Sequence, residues 1–350
     1  MPDSAMTNLL DKPPFAPRDD VGFLTGMNEI CSWHLAGCPE YRLVWPDWSE
    51  ARQLEDLPFL HVGVFKRRLW KTMAPGIMHQ RTLRSSSTTQ ATASMIALDE
   101  RSSALQARSS GAILKELVGE SLRPLAILDH SRALRQRGEA SARITAAMSL
   151  RFLASEIHFL QDDDDSMNWD RLGSVLAQHR RLLVYGFTWV LWQSWATATI
   201  PEPVRRLLAG TEVHFVHSGG WKKLEAARVD RKRFDAALLA TVGPASRVTE
   251  YYGLVEQVGV IFPLCEAGFY HVPRWAGILV RDPWTLKPIE GQPGLLQFMN
   301  VLSWGAPYHS VLTEDLGRLV PGDCACGRCG QHFELLGRVP KAEIRGCANV

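Results

Sequence analysis

Three cysteines stand within six residues near the carboxyl end, in Asp323-Cys324-Ala325-Cys326-Gly327-Arg328-Cys329-Gly330. Thiolates presented by a glycine-rich knuckle are soft donors, and a further pair, Cys265 and His271, lies upstream on an expected hairpin. Tight-turn thiolates joined by a second contribution from elsewhere meet the needs of a tetrahedral structural zinc ion. A set of ordinary buried thiols and a reactive disulfide are the alternatives. A second stretch, Thr249 to Gly259, reads T-E-Y-Y-G-L-V-E-Q-V-G. Its aromatic pair, glycine turn and isolated acid suit the floor of an ATP site, with Tyr252 against the base and Glu256 on a metal ion.

Two loops could hold anions. Arg84 to Ser94 (R-S-S-S-T-T-Q-A-T-A-S) carries five consecutive hydroxyl residues, able to turn O–H and backbone N–H groups toward a phosphate. A flexible polar linker is the plain alternative. The segment from about Thr92, with Met95, Ile96 and Leu98, is expected to be a helix whose positive end faces that loop. His217-Ser218-Gly219-Gly220-Trp221-Lys222-Lys223 follows an expected strand and reads as a ligand loop.

The elements that must position these groups alternate. Asp170–Gln178 puts Leu172, Val175 and Leu176 on one helical face, and Leu182–Tyr185 reads as a strand. Thr188–Ala198 and Pro203–Ala209 read as helices and Glu212–His217 as a strand, and Asp230 caps a helix bearing Phe234, Ala237 and Leu238. Such alternation defines an α/β layered domain with a largely parallel sheet, whose ligands sit at the carboxyl ends of the strands. By that rule Tyr251 to Glu256, including Gly253, forms a second ligand loop. From Gly259 the segments shorten and turns multiply, giving a small β-rich subdomain. The first fifty or so residues read as a wrapping segment with a helix around Asp20 to Leu35, and Glu55 to Arg68 as a short extended piece followed by a basic cluster at a solvated edge. Asp162 to Asp165 lacks the glycine and closing glutamate of a calcium loop.

Composition narrows the classes. With 350 residues, 46% apolar and 22% charged, the chain is globular, and a net charge of +2 gives no reason to expect nucleic acid or an anionic membrane. Seven cysteines behind an M-P-D-S-A-M start, which is no secretory signal, place it in the cytoplasm with reduced thiols. Leu182 to Pro201 runs uncharged, but Gly186, Gln193, several hydroxyl residues and three tryptophans argue for a buried strand-turn-helix and against a membrane span.

In order along the chain, R-S-S-S-T-T-Q, H-S-G-G-W-K-K, Y-Y-G-L-V-E-Q, T-E-D-L-G, the C-x-C knuckle, G-R-V and I-R-G-C-A-N-V resemble the adenylate-forming enzymes. The likeness is greatest to the acyl-protein synthetase of the bacterial luminescence fatty-acid reductase complex; phenylacetate-CoA ligase is a more distant relative. It runs from about Leu57 to the carboxyl end. The resemblance implies that Ser85, Ser86, Ser87, Thr88 and Thr89 form the phosphate loop, with Ser87 and Gln90 where glycines are usual. It implies that Ser218, Gly219 and Gly220 line the adenine and acyl pocket, that Tyr252 packs on adenine, and that Glu256 ligates magnesium. Asp315 matches the ribose-binding carboxylate and Arg338 the hinge-side arginine. Cys265, His271, Cys324 and Cys326 resemble the zinc ligands of the phenylacetate-ligase branch, with Cys329 as an alternative.

The implied activity is ATP-dependent activation of a carboxylic acid, fatty or aryl, to acyl-AMP, followed by transfer to a thiol. Cys347, in R-G-C-A-N-V, matches the near-terminal cysteine that acyl-protein synthetases acylate; a carrier protein or CoA is the alternative acceptor, and an acyl reductase a possible partner. A catalytically idle scaffold in a reductase complex is the reading from another class. The chain stops at Val350, so the superfamily's carboxyl-terminal lid is expected to be absent or vestigial, with Lys222 or Lys223 taking the electrostatic role of its lysine. The expected division is 1–55 wrapping segment, 56–258 α/β adenylation core, 259–338 β-rich subdomain with the knuckle, and 339–350 hinge-like tail.

Overall fold

A computed structural model describes residues 9–85, 93–131 and 139–339. In chain order the first elements are helices α1 (Asp20–Gly37) and α2 (Pro39–Val44), strand β1 (Leu60–His61) and helix α3 (Val64–Arg67). Then come β2 (His79–Arg84), β3 (Met95–Asp99), the long helix α4 (Glu100–Val118) and β4 (Arg123–Ile127). The middle holds β5 (Glu139–Ser141), α5 (Ala142–Met148), β6 (Ala154–Phe159), α6 (Trp169–Gln178), β7 (Arg181–Phe187) and α7 (Thr188–Leu191). It continues through α8 (Glu202–Ala209), β8 (Glu212–Ser218), α9 (Arg231–Leu239) and β9 (Arg247–Tyr252). Six strands close the chain: β10 (Phe262–Pro263), β11 (Tyr270–His271), β12 (Ala276–Arg281), β13 (Gly294–Asn300), β14 (Ser310–Val320) and β15 (His332–Arg338). No helix of the described residues is long and apolar enough to cross a membrane.

These elements divide into two compact units that interleave along the sequence. One comprises 1–84, 92–113 and 254–350, the other 85–91 and 114–253.

The second unit is α/β. Its strands run in the order β9-β8-β7-β4-β6 and every neighbouring pair is parallel. β4 and all but the first residue of β7 and β8 are buried, as in a sheet covered on both faces. α6 buries Leu172, Val175 and Leu176 and is capped by Asn168, whose side chain accepts from Arg171 N. Asp230 caps α9 by accepting from Arg233 N, and Phe234 and Leu238 point inward while Ala237 is half-buried. The uncharged run after Leu182 is not one helix. β7 continues through Gly186, α7 makes barely a turn, and Trp192–Ala196 is a π-turn.

The first unit is built on an antiparallel sheet, β11-β15-β14-β13-β12, with β1 lying parallel on β14. β12 and β13 are buried along their whole length. α1 begins at Asp19, which accepts from Gly22 N, and buries Phe23, Met27, Ile30 and Cys31. Its His34 bridges Thr72 Oγ1 (2.6 Å) and the Ser303 carbonyl (2.8 Å) in a fully buried network that stacks on His309.

One expected element is corrected. Met95, Ile96 and Leu98 do not open a helix: Met95–Asp99 is a strand paired antiparallel with β2, and α4 starts at Glu100, where Asp99 Oδ2 accepts from Ser102 N. A short apolar run carries no period that separates the two, and the pairing partner decides.

Candidate active site

The stretch from Thr249 to Gly259 contributes to both units: Tyr251, Tyr252 and Gly253 belong to the α/β unit and Glu256 to the other.

In the α/β unit the carboxyl ends of the parallel strands gather polar groups. Tyr251 faces inward, 4% exposed, and its hydroxyl lies 3.2 Å from that of Tyr185, which in turn is 3.2 Å from Ser218 Oγ. Alternation along β9 turns Tyr252 to the other face, half-buried, and Gly253 is exposed. Ser218 ends β8, and Thr188 Oγ1 holds the chain there by donating to the Ser218 carbonyl, 3.2 Å away, and meeting His217 Nδ1 at 3.0 Å. Gly219 (φ +84°) and Gly220 (φ +63°) then adopt the left-handed backbone, and a side chain at Gly219 would meet the Phe187 ring at 3.0 Å. Burial holds both tyrosine hydroxyls above their ordinary pKa. Lys222 opens a short 3-10 turn, Lys222–Ala227. Nearby in the same unit Asp129, beyond β4, is buried against Arg143, whose Nε lies 2.6 Å from Oδ2.

In the other unit Glu256 sits in a single 3-10 turn, Val255–Gln257, and is 5% exposed. Three contacts pin that turn. Gln257 Nε2 donates to the Tyr308 carbonyl (3.1 Å), Asn300 Nδ2 donates to Gln257 Oε1 (2.8 Å), and Ser109 Oγ donates to the Gly259 carbonyl (2.7 Å). Gly259 has φ +80°, and a Cβ there would fall 2.5 Å from Gln106 Cα, so only glycine fits. Burial raises the Glu256 pKa; a hydrogen bond from Ser94 and the charge of Lys66 oppose the rise, while Asp315 adds to it. Thus Glu256, Ser94, Lys66 and Asp315 share one electrostatic neighbourhood. Lys66 Nζ also reaches Glu314 at 3.3 and 3.4 Å. Asp315 and Arg338 are register partners across β14 and β15, and Arg338 Nε donates to Asp315 Oδ1.

Ser94 and Lys66 were not singled out by sequence. Ser94 closes a run of hydroxyl residues that looks uniform, and Lys66 belongs to a basic run that reads as a solvated edge. Only the fold brings α3 and the start of β3 to Glu256. Among the phosphate-loop residues Ser85 is described and half-buried, whereas Ser86, Ser87, Thr88 and Thr89 lie outside the described residues, as does Cys347.

The cysteine cluster belongs to the same unit. Cys265 lies in the turn before β11, His271 ends β11, and Cys324 and Cys326 occupy the β14–β15 turn. Their four candidate donor atoms lie within 4.8 Å of one another. Cys265 and Cys324 Sγ are 3.8 Å apart, and Cys326 Sγ is 3.2 Å from His271 Nε2. Two thiolates on one tetrahedral zinc ion, each about 2.3 Å from it, stand about 3.8 Å apart, so the donor set fits that ion. Glycines at positive φ, Gly327 (+80°) and Gly330 (+90°), make the knuckle tight. Cys329 is exposed and outside the cluster. Burial and the neighbouring Arg328 and His332 lower the His271 pKa to about 4, keeping the ring neutral, the form that binds a metal.

The fold is similar to that of solved adenylate-forming ligases. A 2-hydroxyisobutyryl-CoA ligase, solved in complex with 2-HIB-AMP and CoA, superposes with a TM-score of 0.61 at 15% identity over 91% of this chain and 74% of that one. The same ligase in a postadenylation state gives 0.60 over 91% and 68%. The acyl-protein synthetase (LuxE) family model matches residues 46–350, and the chain belongs to that family. Long-chain-fatty-acid–luciferin-component ligases of Aliivibrio fischeri and Vibrio harveyi are 32% and 31% identical over 142 and 144 residues. Those stretches cover 40% of this chain in each case and only 37% and 36% of the two relatives.

Proposed function

We propose that this protein activates a carboxylic acid with ATP and passes the acyl group to a thiol. A carboxylate oxygen attacks the α-phosphorus, the bond to the bridging oxygen breaks, and pyrophosphate leaves. A thiolate then attacks the acyl carbon of the adenylate, and AMP departs. The observation that carries this reading is the buried carboxylate of Glu256, fixed in its turn by Gln257 and Gly259 and flanked by Ser94 and Lys66, in a chain of the acyl-protein synthetase family.

In this reading Glu256 would hold magnesium, whose contribution would be to neutralise charge on the phosphates. Asp315 accepts from the ribose hydroxyls, with Arg338 orienting its carboxylate. Tyr252 packs on adenine, Gly253 lets the backbone turn beside it, and Tyr251 supports that edge through Tyr185. Ser218, Gly219 and Gly220 approach the nucleotide and acyl group closely because two of them carry no side chain. Ser85 to Thr89 supply donors to the phosphates, and Lys66 joins Lys222 as a candidate cation for the building charge. Cys265, His271, Cys324 and Cys326 would hold zinc, which would act as a structural clip on the β14–β15 turn. The acid is fatty or aryl, and the thiol is Cys347, a carrier protein or CoA. An acyl reductase is the partner that would consume the product, and the cytoplasm is the compartment. ATP–pyrophosphate exchange across a panel of carboxylic acids tests the reading; no exchange with any acid would favour an idle scaffold.

A further inference from the structure

Four adjacent strands of the parallel sheet each begin on a charged residue. β4 starts with Arg123, β7 with Arg181, β8 with Glu212 and β9 with Arg247. All four therefore line the amino-terminal edge of the sheet, opposite the carboxyl ends that carry Ser218 and Tyr252.

Arg123 is the unusual member. Only 4% of its side chain is exposed, yet Nε and Nη1 have no hydrogen-bond partner among the described residues. Its Nη2 donates to the Val118 carbonyl at 3.4 Å, and Arg247 Nη2 donates to the same oxygen at 3.1 Å. Two guanidinium groups thus converge on the last carbonyl of α4. That oxygen, at the negative end of the helix, engages one nitrogen from each. It leaves the rest of the Arg123 fork unused. A buried cation with idle donors is costly and calls for an anion.

The nearby groups supply only one, a carboxylate shared with Arg181 and too far from Arg123 to accept a hydrogen bond. Glu212 is engaged by Arg181, with Oε2 3.1 Å from Nε and Oε1 3.2 Å from Nη2, and stands 4.0 Å from Arg123 Nη1. His214 is neutral. Arg247 Nε donates to its Nδ1 at 3.0 Å, so the proton sits on Nε2, which donates to Thr249 Oγ1 at 2.7 Å. Burial and the two arginines depress its pKa to about 3. Three guanidinium groups against one carboxylate leave two positive charges. Arg181 is half exposed and Arg247 is exposed, so these two members reach solvent while Arg123 Nε and Nη1 are buried, and an anion reaches Arg123 only if a neighbouring side chain moves aside.

We propose that this edge is a binding site for a small dianionic oxyanion of the phosphate type, free or as a phosphomonoester. Arg123 and Arg247 would hold it by charge-assisted hydrogen bonds, and Arg181 would shift from Glu212 to share it. All these residues belong to the α/β unit, and none takes part in the proposed adenylation.

Calorimetric titration of the full chain with inorganic phosphate, phenyl phosphate and acetate tests it. Phosphate should bind the unaltered protein, and Arg123→Met and Arg247→Leu should each weaken it about tenfold or more, since each removes a charge-assisted contact. Glu212→Gln should tighten it by removing the competing carboxylate. Groups elsewhere that bind phosphate are intact in all three variants, so the differences report this edge. Phenyl phosphate binding as well as phosphate assigns a monoester, and its exclusion assigns the free ion. If Arg123→Met does not fold, Arg247→Leu and Glu212→Gln decide the matter with their opposite signs. Phosphate affinity unchanged by the folded variants, or acetate binding as tightly as phosphate, overturns the proposal.

Discussion

Arg338 Nε stands 2.9 Å from Asp315 Oδ1, and the two residues are directly opposed on β14 and β15. Arg338 is 74% exposed while Asp315 is 13% exposed. The arginine thus reaches from the surface onto a carboxylate that is itself largely shielded from solvent.

An ion pair with so exposed a partner is worth no more than about 1 kcal/mol. Asp315→Asn should therefore leave the melting temperature nearly unchanged. If the carboxylate accepts from ribose hydroxyls, the same variant should raise KM for ATP about tenfold, the worth of a charged hydrogen bond. A large loss of stability with an unaltered KM would make the pair structural.

Glu256 makes a prediction about pH. Burial raises its folded pKa above the ordinary value of 4.5. The folded chain therefore binds the proton more tightly than the unfolded chain, and this contribution to stability is present at low pH and lost as pH rises through the raised value. Glu256→Gln should melt higher than the parent near pH 8 without metal, and the gain should vanish near pH 4. An equal shift at both pH values would exclude ionisation as the cause.

The knuckle predicts metal content. Purified protein should carry about one equivalent of zinc, and Cys324→Ser should lose it together with thermal stability, because binding energy at such a site is folding energy. Cys329→Ser should change neither, since Cys329 lies outside the cluster. Zinc lost with Cys329 and kept with Cys324 would reassign the ligands.

The acceptor thiol is open to mass spectrometry. After incubation with ATP and an acid that supports exchange, the parent should gain a hydroxylamine-labile acyl group, and Cys347→Ser should not. An acyl group retained on Cys347→Ser would move the acceptor elsewhere.

How much of this was legible varies with the distance over which each group is positioned. The strand at Glu212–Ser218, the cap at Asp230 and the inward face of α6 are local, fixed by periodicity and one side-chain bond, and the sequence displays them. The nature of Met95–Asp99 depends on β2, which no local pattern reveals. The clustered donors were legible in part, because two sit in one turn and two on one hairpin, while the choice of Cys326 over Cys329 rested on the family resemblance. Lys66 and Ser94 were not, because they come from remote parts of the chain, Ser94 to hydrogen-bond Glu256 and Lys66 to act on it by charge. The Arg123 edge was invisible for the same reason: its members are spread over more than a hundred residues and align only when four strands start side by side.

Glu256 is expected to serve ATP-dependent activation of an acid. ATP–pyrophosphate exchange, driven by a panel of fatty and aryl acids with magnesium, tests it most directly in the parent protein and Glu256→Gln. Exchange dependent on the acid is expected in the parent, with a loss of about 100-fold in the variant, the scale of removing a preorganised charge from a transition state. Exchange at the parental rate in a folded Glu256→Gln protein would contradict it.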